Sequence, residues 1–270
     1  MQNLKENIKL VATDIGGTLA HDDGTISRET IEIFRSLISQ KVHLALVTGY
    51  NMKMTEKYSS QISEDLIRVI QNGAMIFEGA DLIETNYLSK EIASELIIYF
   101  ESKKFSPILF MGVEDNGRVY FKRMNDEFVA RDSFIEVSDF ENILQNDPVE
   151  VSVWESTDKI LSCKEELESL YGENWNVTTS IQKRRSWLEV LHPDAQKDIA
   201  LLTIMERKGI KPEEVMYFGD NLNDISCLEL VKYPVVVSNA LKDVKKLAWK
   251  ITLSNNDDGV ADILRQIFIL

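Results

Sequence analysis

Apolar runs of strand length alternate with amphipathic helical stretches at both ends of this chain, and that rhythm constrains the fold more than any other feature. Near the start, "IKLVAT" is a short β-branched run. "SRETIEIFRSLISQK" then carries a helical stripe at Ile31, Phe34, Leu37 and Ile38 behind Ser27 as N-cap, and "VHLALVTG" is a second buried-strand run. "NMKMTEKYSSQI" reads as helix and "LIRVIQNGAMIF" as strand, turn and strand. The rhythm resumes in the last part. "AQKDIALLTIMERKG" is helical and closes at Gly209, "EVMYFGD" is a strand, "DISCLELV" a helix and "YPVVVSN" a strand. "DVKKLAW" reads as helix, "KITLS" as strand and "GVADILRQIFIL" as a closing helix. The alternation predicts an α/β fold: a Rossmann-like parallel sheet with helices on both faces.

The middle of the chain breaks the pattern. "SKEIASELIIYFESKK" is a helix, and "SPILFMGVEDNGRVYFKR" is strand, turn and strand, with Asn116-Gly117 as the hairpin signal. A strand "VEVSVWES", a helix "KILSCKEELESLYG" and the strands "WNVTTS" and "SWLEVLHP" follow. Hairpin plus helix predicts an α+β module inserted into the α/β core. We expect residues 1–84 and 185–270 to form the core and 85–184 the insert. A length of 270 residues, 44% of them apolar, is ample for both.

The formal net charge of -14 argues against nucleic acid and anionic lipid as partners. It leaves phosphate substrates open, because local cations and a bound metal can reverse the field inside a cleft. Cys163 and Cys227 are far apart, form no CxxC, and read as reduced thiols of a cytoplasmic protein. "MQNLKENIKL" is polar and mixed in charge, unlike a leader peptide, and no apolar run approaches the ~20 residues of a membrane span.

Open α/β sheets bind ligands at the C-terminal ends of their strands. The first run stops at Asp14, the second at Thr48-Gly49, and a later one at Gly219-Asp220, followed by Asn223-Asp224. Lys197 begins the helix that feeds that later strand. Each alone has a plainer reading, as a turn residue, a cap or a solvated lysine. As an ordered set they suit phosphoryl transfer. Asp14 and Asp220 can hold Mg²⁺, Lys197 can neutralise phosphoryl oxygens, and Thr48 with turn N–H groups can orient them. The free oxygen of Asp14 can attack phosphorus.

These stretches resemble the haloacid dehalogenase superfamily phosphatases, in the Cof-type subgroup with a large α+β cap. "DIGGTLAHDDGTIS" resembles the first motif, "LALVTGY" the second, "HPDAQKDIAL" the lysine motif and "GDNLNDISCLE" the fourth; "QNGAMIF" resembles the lead into the cap. The likeness spans essentially the whole chain. It implies a Mg²⁺-dependent phosphatase of small phosphorylated metabolites, often sugar phosphates, with a cap that chooses the substrate. It implies Thr48 and Asn223 as phosphate contacts, Asp220 as metal ligand, and Asp224 in or near the metal shell.

The family pattern is Asp-x-Asp, and position 16 here is Gly. The resemblance assigns that second acid to protonate the leaving oxygen and later to activate water. Gly16 can do neither, although its carbonyl can still serve the metal. General acid–base catalysis contributes about 10²–10⁴-fold, roughly 3–5 kcal/mol of barrier. We therefore expect a slowed phosphatase, with a metabolite-binding sensor as the alternative and a phosphotransferase holding its aspartyl phosphate as a third reading. His21, Asp22 and Asp23 follow closely and are either substitutes for the acid or a solvated turn. Tyr50 is a second departure, where the family often has a basic residue; its phenol either packs or faces substrate. His43 and His192 read as core or edge residues. Arg118, Lys122, Arg123, Lys183, Arg184 and Arg185 are either a solvated basic face or a funnel for an anionic substrate.

Overall fold

A computed structural model describes residues 2–126, 128–131, 133–182 and 184–268. The chain divides into two compact units: the first runs through Glu84 and resumes at Lys197, and the second is Thr85–Gln196. The return falls at Lys197 rather than at residue 185, because Arg185–Leu191 pairs with strands of the second unit.

The strands in chain order are β1 (Leu10–Thr13), β2 (His43–Val47), β3 (Ile67–Ile70), β4 (Met75–Glu78), β5 (Asp81–Thr85), β6 (Ile108–Met111) and β7 (Val119–Phe121). They continue as β8 (Phe134–Glu136), β9 (Pro148–Ser156), β10 (Asn176–Ser180), β11 (Arg185–Leu191), β12 (Val215–Gly219), β13 (Tyr233–Val237) and β14 (Lys250–Thr252). The helices are α1 (Gln2–Asn7), α2 (Arg28–Ser39), α3 (Met52–Ile62), α4 (Lys90–Ser102), α5 (Thr157–Tyr171), α6 (Lys197–Lys208), α7 (Ile225–Leu230) and α8 (Gly259–Phe268).

The first unit holds a sheet of order β14-β13-β12-β1-β2-β3-β4-β5. From β14 to β3 every pairing is parallel, and β4 folds back antiparallel on β3. All four residues of β1 are buried, as a central strand covered on both faces requires. One face packs Phe34 and Leu37 of α2, Tyr58 and Ile62 of α3 and Ile263 and Leu264 of α8. The other packs Leu201, Ile204 and Met205 of α6 and Cys227 and Leu228 of α7. The two-faced α/β sheet expected from the sequence is therefore present.

Local signals explain the helix limits. The Ser27 side chain accepts from the Thr30 N–H at 3.1 Å and starts α2. Gly209, at φ 64°, ends α6. "DVKKLAW" forms a single 3₁₀ turn, Val244–Leu247, rather than the helix expected.

The second unit holds a sheet of order β10-β11-β9-β6-β7-β8. Its pairings are antiparallel except that of β7 with β8. Helices α4 and α5 bury Phe100, Ile160 and Leu167 against Val151, Val153, Leu188 and Val190. The β6–β7 hairpin turns through Asn116 and Gly117, at φ 53° and 61°. This is the α+β insert expected from the sequence.

Candidate active site

The parallel sheet runs outward from β1 in two directions: to β2 and β3, and to β12, β13 and β14. The crevice between β1 and β12 is thus the switch point where such sheets hold ligands. Thr13 pairs with Phe218 and with Leu46, so these strands end level. Asp14 leaves β1 with its N–H on the Phe218 carbonyl at 2.9 Å, and Asp220 leaves β12 next to it in the sheet.

Lys197, the first residue of α6, is buried beneath them. Its ammonium donates to Asp14 Oδ1 at 2.8 Å and to Asp224 Oδ1 at 2.7 Å. Asp224 also accepts from the Tyr217 hydroxyl at 2.7 Å and from the N–H groups of Asp220 and Asn221 at 3.0 and 3.1 Å. Four donors thus fill the four lone-pair sites of an ionised carboxylate. Asp220 Oδ1 accepts from the Thr18 hydroxyl at 2.6 Å. Gly17, at φ 80°, passes so close that a Cβ there would lie 2.6 Å from Asp220 Oδ2.

One oxygen from each of Asp14, Asp220 and Asp224 lies within 4.8 Å of the others. Three buried carboxylates face one ammonium. Burial pushes the Asp14 carboxyl up to about 6, against the pull of Lys197. Burial and the charges of Asp14 and Asp224 raise Asp220 well above its ordinary value. Burial would depress the Lys197 ammonium, but Asp14 and Asp224 outweigh it and hold the group charged. This excess of hard, anionic oxygen fits a divalent cation such as Mg²⁺.

Thr48 directly follows β2, with its hydroxyl oxygen accepting from the Tyr50 N–H at 3.2 Å. Its carbonyl accepts from Asn72 N at 3.0 Å, and the Tyr50 carbonyl from Gln71 N at 3.0 Å. Gln71 and Asn72 both take positive φ, at 48° and 52°. Asn72 Oδ1 accepts from Asn223 Nδ2 at 2.9 Å, which ties the turn after β3 to the loop after β12. The Asn72 amide sits against Gly49, where a Cβ would come within 3.2 Å of it. Asn72 Nδ2 and Gln71 Nε2 are buried with no hydrogen-bond partner among the described residues. Sequence reasoning did not single out Asn72 as a site residue; its signal was the Asn-Gly turn directly after an apolar run.

Gly16 lies on the loop after β1, bridged to Ala20, and the edge of the Tyr50 ring lies against it. His21, Asp22 and Asp23 are engaged elsewhere: His21 Nε2 with Asp258 at 3.0 Å, Asp22 with Asn255 at 3.0 Å, and Asp23 with Thr25 at 2.6 Å. They belong to the turn that follows. His43 begins β2, at the far end of that strand from Thr48, and His192 lies in the second unit beside Asp194. In the second unit Arg118, Lys122 and Arg123 pair with Asp115, Glu101 and Glu136 at 2.8, 2.8 and 3.0 Å. Arg185 lies over the Trp154 ring at 4.7 Å, and Lys183 is outside the described residues. The hairpin cations are therefore spent on neighbours. Cys163 and Cys227 are buried free thiols.

The family model of the haloacid dehalogenase-like hydrolases matches residues 11–264, from β1 to within α8. The chain belongs to this family. Relatives of this hydrolase match it end to end. It is 26% identical over 274 residues to the 5-amino-6-(5-phospho-D-ribitylamino)uracil phosphatase YitU of Bacillus subtilis, covering 97% of this chain and 98% of that one. SMU.1108c of Streptococcus mutans UA159 shares the fold with a TM-score of 0.86 at 19% identity, covering 97% of this chain and all of the other. The subclass IIB sugar phosphatase BT4131 shares it with a TM-score of 0.78 at 22% identity, covering 97% and 100%.

Proposed function

We propose that this haloacid dehalogenase-like hydrolase is a Mg²⁺-dependent phosphatase of small phosphorylated metabolites, sugar phosphates foremost, with Asp14 as nucleophile. The observation that carries the reading is the buried trio in which Lys197 holds Asp14 and Asp224 at 2.8 and 2.7 Å, with an Asp220 oxygen within 4.8 Å. The phosphatase names of relatives such as YitU support the reaction class.

Asp14 and Asp220, with the Gly16 carbonyl, would hold the ion. It would supply charge to offset the phosphoryl oxygens. Asp224, its lone pairs filled, orients Lys197 and the loop after β12. Lys197 keeps an Asp14 oxygen in place and meets the phosphoryl charge, and the Thr48 hydroxyl, the Gly49 N–H and Asn223 orient the group. The second Asp14 oxygen attacks phosphorus to give an aspartyl phosphate. Gly16 offers neither proton nor base, so hydrolysis of that intermediate is slow.

The partner is a small phosphorylated compound rather than nucleic acid or membrane. Among the described residues no helix is long and apolar enough to cross a membrane, and the two free thiols support a cytoplasmic setting. Gly16 also favours a second reading, a metabolite-binding sensor without useful turnover. Phosphate release from p-nitrophenyl phosphate and a sugar-phosphate panel, with and without Mg²⁺, separates the two. Metal-dependent release abolished by Asp14→Asn is expected; tight binding with no release favours the sensor.

A further inference from the structure

The side-chain space at position 16 is not vacant. A Cβ on Gly16 would lie 2.8 Å from the Tyr50 hydroxyl oxygen, 3.1 Å from its Cζ and 3.3 Å from its Cε1. Real side chains do not approach that closely. The tyrosine edge therefore occupies the place that an acid at 16 would need.

Tyr50 is fixed there along its main chain. Its N–H donates to Thr48 Oγ1 at 3.2 Å, and its carbonyl accepts from Gln71 N at 3.0 Å. Its ring packs on the core, with the Tyr58 centroid at 6.1 Å. The two departures in the sequence, a glycine for an acid and a tyrosine after Thr-Gly, thus form one arrangement in space.

We propose that Tyr50 is the leaving-group residue of this enzyme: its hydroxyl, seated beside position 16, donates a hydrogen bond to the ester oxygen that departs from phosphorus. The proposal rests on Asp14 acting as nucleophile. An Asp14 oxygen forms a bond to phosphorus, and the ester P–O bond breaks with its electron pair passing to the departing oxygen. The Tyr50 hydroxyl gives its proton to that oxygen as the charge builds, so the leaving group departs as the neutral alcohol, and the tyrosinate regains a proton from solvent before the second half-reaction.

This assistance serves the first half-reaction alone. Hydrolysis of the aspartyl phosphate needs a base for the attacking water, and a protonated phenol is not one. The phosphoryl group therefore dwells on Asp14 longer than it takes to arrive.

The test uses Tyr50→Phe, which keeps the ring and its packing. Single-turnover rates are measured on phosphate monoesters whose leaving groups range from p-nitrophenol to simple alkyl alcohols. A hydrogen bond to developing charge predicts a loss of about 10- to 100-fold on the alkyl esters. The loss on p-nitrophenyl phosphate, which needs little help, is smaller by a factor of about ten. Equal losses across the series, or none, overturn the proposal.

A second measurement tests the packing without activity. Gly16→Ala lowers the melting temperature of the parent more than that of the Tyr50→Ala variant; absence of coupling in this cycle overturns the shared-space argument. Turnover that survives Asp14→Asn refutes the nucleophile, and the leaving-group role falls with it, while the melting cycle still reports whether Tyr50 fills position 16.

Discussion

Lys197 and Asp224 form a buried ion pair at 2.7 Å, and the groups that meet that carboxylate are donors: an ammonium, a phenol and two backbone N–H groups. An amide at 224 would bring two donors of its own into a shell that has none to accept them. We predict that Asp224→Asn costs about 3 kcal/mol of stability, the scale expected when one partner of a buried pair is removed. Phosphatase activity falls with it, because Lys197 and the loop that carries Asp220 lose their anchor. Urea unfolding of the whole chain checks the first, and p-nitrophenyl phosphate turnover the second. A variant as stable as the parent would show that the pair is not what fixes Lys197.

The charge balance of the site makes a pH prediction. The folded Asp14 carboxyl is pushed up to about 6 from 3.8, chiefly by burial, and Asp220 is raised as well. The folded state therefore binds these protons more tightly than the unfolded chain. Their contribution to stability is full below the unfolded value near 3.8 and is lost as pH rises through about 6. Mg²⁺ held by the ionised forms, as proposed, would reverse that loss. Saturating Mg²⁺ should raise the melting temperature by about 5 °C at neutral pH and by far less well below pH 6. Asp220→Asn should raise the metal-free melting temperature at neutral pH and abolish the Mg²⁺ response.

Gly17 gives a test of the same cluster from outside it. Its φ of 80° disfavours a side chain, and its Cβ position lies 2.6 Å from Asp220 Oδ2. Gly17→Ala therefore has two costs: roughly 1–2 kcal/mol for the left-handed backbone, and displacement of the Asp220 carboxylate. The second predicts a Mg²⁺ affinity weakened by about tenfold or more, equivalent to roughly 1.4 kcal/mol, read from the concentration dependence of the melting temperature. An unchanged Mg²⁺ response alongside lower stability would mean that Asp220 is not a ligand.

Much of this site is legible in the sequence because its charged members mark the ends of apolar runs. Asp14 and Asp220 follow fully buried strands, and Lys197 opens an amphipathic helix. Position along a strand is a local property, and periodicity reports it. What escapes is whatever depends on two loops meeting. The sequence leaves the Tyr50 phenol undecided between packing and facing substrate, because only the folded chain sets it against Gly16. Asn72 is unremarkable until Gln71 and Asn72 turn at positive φ beneath Thr48. Strand β5 goes unread because it is largely exposed and lacks a buried alternation. β11 reads correctly as a strand, yet its side of the boundary is set by its pairing with β9, which lies on the other side of α5 in sequence.

Asn72 carries the last prediction. Its Oδ1 is taken by Asn223, while its Nδ2 is buried with no partner among the described residues. A buried donor left unmet costs about 1–3 kcal/mol, and a phosphoryl oxygen arriving beside Thr48 and Gly49 would meet it. Two substitutions separate that role from a structural one. Asn72→Gly suits the φ of 52° and deletes the amide. It also removes the acceptor of Asn223, so it should weaken inorganic phosphate binding by at least the worth of one hydrogen bond, about five- to tenfold. Asn72→Asp keeps an oxygen for Asn223 but replaces the donor with negative charge, and should weaken phosphate more than glycine does. Calorimetric titration of phosphate into the Mg²⁺-loaded protein measures both. If the aspartate binds phosphate as well as the parent, the Asn72 donor does not face the phosphoryl group.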